Sequence, residues 1–380
     1  MIQPPKYGGD RKFLDRSDKP GVFKLTVGHR DTTKDRNGRP SILITSGVHG
    51  SEQLAVVSSL RMVREYQKQK EDSRQHLDST GHLKEIDPYF DVGPITLMAG
   101  VNPYGLIAGT REFKDEPAAE AGTPDKDKAN LNRAFRAVDR SDRYTFEYAV
   151  ESIKGEIDFA DIVIDVHNSP LIHNCVLIDN GPYARNYVEF CREFGLDFVI
   201  REGSADTIKA YAIGQGKVGL TVELAGMGEC PYQDLIVAEQ TEFIKKVVTA
   251  AMSVYGPNAI GSHWKDSEKE EFYRRNFPFG SFMTKRQPFP PSCLAQEIIY
   301  RGKFGFVEYK ANTTNPKGLA VGTGGEIGTV HCIDGVDRKL IMPIDGFVVD
   351  FKDYANVAEN GKHLFTVQPV KSVFEELKNG

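Results

Sequence analysis

Ser41-Ile-Leu-Ile-Thr-Ser-Gly-Val-His-Gly-Ser-Glu52 decides how this 380-residue chain is read. Ile42, Leu43 and Ile44 form a short apolar run, the pattern of a strand covered on both faces. Gly47 and Gly50 then favour a tight loop, and from Ser51 to Gln69 the residues Leu54, Val57, Leu60 and Val63 make an apolar stripe. Strand, loop and helix in that order are one half of a parallel βαβ unit. Working outward, Ile95-Thr-Leu-Met-Ala99, Asp161-Ile-Val-Ile-Asp-Val166 and Gly219-Leu-Thr-Val-Glu-Leu224 repeat the buried-strand pattern, and helices are predicted over 142–154, 182–194 and 234–254. The expected fold class is α/β: a mostly parallel sheet with helices on both faces.

Two stretches, 67–91 and 113–130, are rich in charge and small polar residues and read as surface insertions. Scattered Pro, Gly and charge over 256–292 mark a boundary, after which short β-type runs alternate with Gly, Asn and Asp turns up to Leu364-Phe-Thr-Val367. The expected organisation is an α/β domain over 1–258, a linker over 259–290 and a small all-β domain over 291–380. Composition narrows the function classes. A net charge of −5 with a pI near 6.0 argues against a general nucleic-acid or acidic-membrane binder. The polar first twenty residues and the lack of any eighteen-residue apolar run predict neither signal peptide nor membrane span, so the expected location is cytoplasmic. Five scattered cysteines without a CxxC read as reduced, mostly structural thiols.

The chemistry is local and follows the strands. The first strand runs into His49 and Glu52, the third ends in His167 and Asn168, and the fourth carries Glu223 near its end. Ligands in open α/β sheets collect beyond the carboxyl ends of the strands, so these side chains can converge although far apart in sequence. His49 and Glu52, three residues apart on a loop, can face one ion from a single turn. With His167 they make a set of two imidazoles and one carboxylate, which leaves a fourth tetrahedral position open as in catalytic zinc sites. One Zn2+ per chain is expected there. Taken singly, each residue also has an ordinary structural reading: a hydrogen-bonded loop histidine, a helix-start carboxylate, a core histidine.

Further motifs surround this set: Asn102-Pro-Tyr-Gly105, Leu131-Asn-Arg-Ala-Phe135, Asp165-Val-His-Asn168 and Thr221-Val-Glu-Leu224. In order and approximate spacing, from about residue 40 to 255, they resemble the HxxE, NPxG, LNRxF, DxHN and TxEL segments of the zinc carboxypeptidase superfamily, within it the succinylglutamate desuccinylase/aspartoacylase group. That resemblance implies roles. Glu223 would be the general base and Arg111 the group that steadies the oxyanion. Asn132 and Arg133 would hold a substrate carboxylate, with Asn168 and Tyr211 as further substrate-facing residues. One departure stands out: many members have Asp two residues before the Asn of the Asn-Arg pair, orienting a zinc-binding histidine, and here that position is Asn130.

The leading function is therefore a zinc-dependent hydrolase that cleaves the amide bond of a small, anionic N-acylated amino acid or amine. A metallocarboxypeptidase acting on short peptides is the alternative, because the motifs serve the same hydrolysis in both. A non-catalytic binding or scaffold protein is a remote third reading, which predicts loss of a ligand or of Glu223, and none is lost. The β module is expected to serve as a lid, a pocket wall or a homo-oligomer contact. No nucleic-acid and no membrane partner is expected.

Overall fold

The computed structural model describes residues 22–27, 41–75, 94–112, 130–135, 144–169, 173–226, 233–260, 285–299, 305–309, 320–321, 325–332, 336–341, 343–351, 357–358, 360–361 and 363–379. Seven strands form the main sheet: β1 (Phe23–Val27), β2 (Ile42–Ser46), β3 (Ile95–Ala99), β4 (Ile162–Ser169), β5 (Cys175–Asn180), β6 (Phe198–Glu202) and β7 (Val218–Ala225). Their order is β1-β3-β2-β4-β7-β5-β6. β2 pairs parallel with both β3 and β4, β5 pairs parallel with β6, and β1 closes its edge antiparallel to β3. All five residues of β2 and of β3 are buried, as expected of strands covered on both faces.

Helices α1 (Gln53–Gln75), α2 (Pro103–Ala108), α3 (Tyr144–Phe159), α4 (Ala184–Glu193), α5 (Ile208–Gly214), α6 (Gln233–Ile260) and α7 (Val370–Asn379) complete the described helical elements, together with short 3-10 turns at Leu131–Arg133 and Pro291–Cys293. Three helices outrun their sequence reading. α1 continues past Gln69 to Gln75, into the stretch read as an insertion, because Lys, Glu, Gln and Arg are good helix formers even without an apolar stripe. α3 reaches Phe159 and α6 reaches Ile260. The remainder of both expected insertions, 76–91 and 113–129, lies outside the described residues. Among the described residues no helix is long and apolar enough to cross a membrane.

The chain forms two compact units. The first comprises Met1–Asn168, Ser204–Val222 and Met227–Ser281. Its core includes Val48, Met98, Val101, Leu131, Phe135, Ile153, Ile157 and Val163, which gathers residues from the loops after β2 and β3 around α3. The second comprises Ser169–Gly203, Glu223–Gly226 and Phe282–Gly380. It contains two four-stranded antiparallel sheets built from β8 (Gln296–Ile299), β9 (Gly305–Tyr309), β10 (Ala320–Val321), β11 (Glu326–Cys332), β12 (Asp337–Ile341), β13 (Gly346–Phe351), β14 (Val357–Ala358) and β15 (His363–Gln368). Their orders are β10-β13-β15-β8 and β12-β11-β9-β14. Within this unit Gln368, fully buried, accepts the Ile200 N–H at 2.8 Å and donates to the Cys293 carbonyl at 2.8 Å. Arg185 donates to Glu376 and to the Gln287 carbonyl and lies over the Phe289 ring. The C-terminal strands are thus bound into one body with β5, α4 and β6. Cys175, Cys191, Cys293 and Cys332 are buried free thiols, and Cys230 lies outside the described residues.

Candidate metal centre

Three of the residues read from the sequence converge in the first unit. His49, Glu52 and His167 are all buried, and one potential ligand atom from each lies within 4.8 Å of the others. The Glu52 N–H donates to the His49 carbonyl at 3.1 Å, so a single turn presents both side chains in one direction. Glu52 Oε1 is 2.7 Å from His49 Nδ1, Glu52 Oε2 is 2.9 Å from His167 Nδ1, and the two imidazole rings are 4.9 Å apart.

The far side of each ring is held by an oxygen. His167 Nε2 lies 2.7 Å from Asp165 Oδ2, which assigns the proton on that nitrogen to the carboxylate contact. Residues two apart on a strand share a face, so the pleat of β4 itself brings Asp165 beside His167. Thr45, the β2 residue paired with Asp165, donates its hydroxyl to Asp165 Oδ1 at 2.7 Å. His49 Nε2 is 3.2 Å from Asn130 Oδ1, so the carboxamide at the departing position does face the imidazole. With both Nε2 atoms directed outward, both Nδ1 lone pairs can turn to the point that Glu52 shares. This arrangement, two nitrogens and one carboxylate oxygen with their outer partners in place, fits a divalent transition-metal ion.

The same contacts set the charges. Burial alone pushes the Glu52 carboxyl up, but the charge and hydrogen bond of His167, with those of His49, pull it down to about 2 from 4.5. Burial alone would lower the His167 imidazole, yet the carboxylates of Asp165 and Glu52 raise it well above its ordinary range. The His167 ring thus has a carboxylate oxygen at each nitrogen, Glu52 Oε2 on one side and Asp165 Oδ2 on the other.

The loop carrying His49 is fixed by close backbone approach. A Cβ at Gly50 would stand 1.8 Å from the Gly105 carbonyl carbon and 2.3 Å from the Leu106 nitrogen, so only glycine lets α2 lie against this loop. Asn102, fully buried, accepts the Gly105 N–H at 2.9 Å and donates to the Val48 carbonyl at 3.2 Å. The NPxG turn is therefore the clamp that seats the histidine loop.

The remaining predicted residues divide. Arg111, with its side chain about half exposed, brings its guanidinium to 3.8 Å from Glu52 Oε1. The buried Asn132 accepts the Ile208 N–H at 3.1 Å, and its Nδ2 lies 3.2 Å from His167 Nε2. Arg133 is half-buried and donates to the Asn132 carbonyl at 3.0 Å. Asn168 accepts the Ala55 N–H, capping one of the unpaired donors in the first turn of α1 from the end of β4. Tyr211 packs against Phe135 with ring centroids 6.2 Å apart and lies under the Lys154 ammonium. Glu223 is half-buried on β7 and belongs to the second unit. Sequence reasoning missed the supporting roles of Asp165 and Thr45. The i, i+2 spacing of Asp165 and His167 on a strand was the signal for the first, whereas the second needed the strand pairing.

A largely parallel α/β sheet that brings His, Glu and His together defines the class, an α/β fold with a candidate metal centre. Residues 82–249 match the model of the succinylglutamate desuccinylase/aspartoacylase catalytic domain. The matched part holds the NPxG, LNRxF, DVHN and TVEL motifs, while His49 and Glu52 stand before it. Among solved structures, a succinylglutamate desuccinylase/aspartoacylase from Rhodobacter sphaeroides has a TM-score of 0.51 at 16% identity, covering 91% of this chain and 88% of its own. The product-bound ectoine utilization protein EutE (DoeB) from Ruegeria pomeroyi has a TM-score of 0.49 at 15% identity, covering 94% and 98%. A metallo-carboxypeptidase from Burkholderia cenocepacia has a TM-score of 0.46 at 15% identity, covering 64% and 65%. No curated protein matches the chain.

Proposed function

We propose that the chain is a zinc-dependent amidohydrolase that removes an acyl group from a small N-acylated amino acid or amine. The observation that carries this reading is the convergence of His49, Glu52 and His167, each imidazole backed by its own oxygen acceptor. These three residues would hold Zn2+, which when bound supplies Lewis acidity toward a water molecule and an acyl carbonyl. Glu223 takes the proton from the attacking water and returns it to the leaving amine. Arg111, the exposed cation beside Glu52, offers its guanidinium to the developing oxyanion. Arg133 receives the substrate carboxylate, a task suited to a planar fork of donors. Asn132 and Asn168 tether the starts of α5 and α1 beside the centre, and Tyr211 stands as a further substrate-facing residue. The match of residues 82–249 favours a deacylase over a peptidase.

A panel of N-acetyl and N-succinyl amino acids assayed beside short peptides tests the substrate class. Release of the free amino acid from the acylated compounds is expected, and cleavage of peptides alone would overturn the deacylase reading. Glu223→Gln is expected to lower kcat by about 10²- to 10⁴-fold while the protein keeps its metal. Unchanged turnover would remove Glu223 from the mechanism.

A further inference from the structure

The two histidines of the candidate centre are backed unequally. Behind His167 stands a full negative charge, the Asp165 carboxylate at 2.7 Å, itself anchored by the Thr45 hydroxyl at 2.7 Å. Behind His49 stands the neutral Asn130 carboxamide at 3.2 Å, and the same oxygen also accepts the Asn132 N–H at 3.0 Å as the cap of the 3-10 turn. A carboxylate acceptor fixes a ligating imidazole and raises its basicity. An amide oxygen shared with a backbone donor does both more weakly.

We propose that this centre is built asymmetrically, with His167 as the fixed arm and His49 as the yielding one, so that Asn130 sets how tightly the chain holds its metal ion. The proposal rests on the metal-site reading above and deepens it. Asn130 is a positioning residue here, acting on the metal only through His49. A purely structural role for Asn130, capping the turn at Leu131–Arg133, makes a different prediction. Aspartate caps as well as asparagine does, so Asn130→Asp preserves the cap and changes only the charge behind His49.

The test uses the full-length protein, stripped of metal and titrated with Zn2+ against a chromophoric chelator at fixed pH. Wild type, N130D, D165N and the exchanged pair N130D/D165N are compared, with chelator-chase release rates as a second readout. Loss of such supporting partners changes metal affinity by roughly 10- to 100-fold. N130D is expected to bind Zn2+ at least about tenfold more tightly and to release it more slowly, and D165N to bind at least about tenfold more weakly. The exchanged pair should fall between the two. N130D within twofold of wild type, or weaker, overturns the asymmetry while leaving the metal site standing. A wild type that takes up no Zn2+ overturns the metal-site reading and the asymmetry with it.

Discussion

At the scale of single residues, the candidate centre is a buried cluster in which Glu52 and His167 favour each other's charged forms. Glu52, held at about 2 against an ordinary 4.5, stabilises the fold above pH 4.5 by up to about 3 kcal/mol, and that contribution is lost as the pH falls toward 2. His167 has the opposite sign: its raised pKa contributes fully below the ordinary 6.5 and is lost as the pH rises through the raised value. Chelator-treated protein should therefore be most stable between about pH 4.5 and 6.5, with thermal midpoints falling on either side. Glu52→Gln should flatten the acid limb of that profile. An acid limb identical to wild type would show that Glu52 is not held ionised by His167. The candidate ligands are legible in the sequence because strand ends fix where His49, Glu52 and His167 stand. The uses of Asn168 and Tyr211 are less legible, since an amide or a phenol has the same letters whether it meets substrate, a helix cap or a neighbouring ring. The structure engages the first with Ala55 and the second with Phe135 and Lys154.

Among the elements, the loop from Gly47 to Glu52 matters most, because its position depends on contact between two backbones. Gly50 lies against Gly105 and Leu106 with no room for a methyl group, and those obstacles are backbone atoms that cannot rotate aside. Gly50→Ala should therefore cost about 3 kcal/mol, read as a lower urea midpoint with an unchanged slope, and should weaken metal uptake as the loop shifts. A midpoint equal to wild type would mean that α2 yields freely and does not seat the histidine loop. The sequence announces the glycines as turn formers but not the partner of Gly50, which is 55 positions away. Helix lengths show a related gap. An apolar stripe marks where α1 packs, while its last turns consist of polar helix formers and carry no periodic signal. Strands β5 and β6, whose apolar residues give way to Asp179-Asn180 and Arg201-Glu202, and the short helix α5 escape the sequence reading.

For the whole molecule, the α/β pattern and the later switch to short β runs are both readable in the chain, but the grouping into compact bodies is not. Gln368 and Arg185 tie the C-terminal strands to β6 and α4 through hydrogen bonds made at sequence separations of 168 and 191 residues. No local pattern announces such pairs. The match of residues 82–249 to the succinylglutamate desuccinylase/aspartoacylase catalytic domain agrees with the hydrolase reading, while the three candidate ligands make a demand that can be measured directly. Metal analysis of the full-length protein, purified without chelators, should find close to one zinc per chain, and the same analysis of His167→Ala should find almost none. Wild-type protein that is folded but carries no zinc, or a variant that retains as much as wild type, would contradict the assignment of His49, Glu52 and His167 as the metal centre.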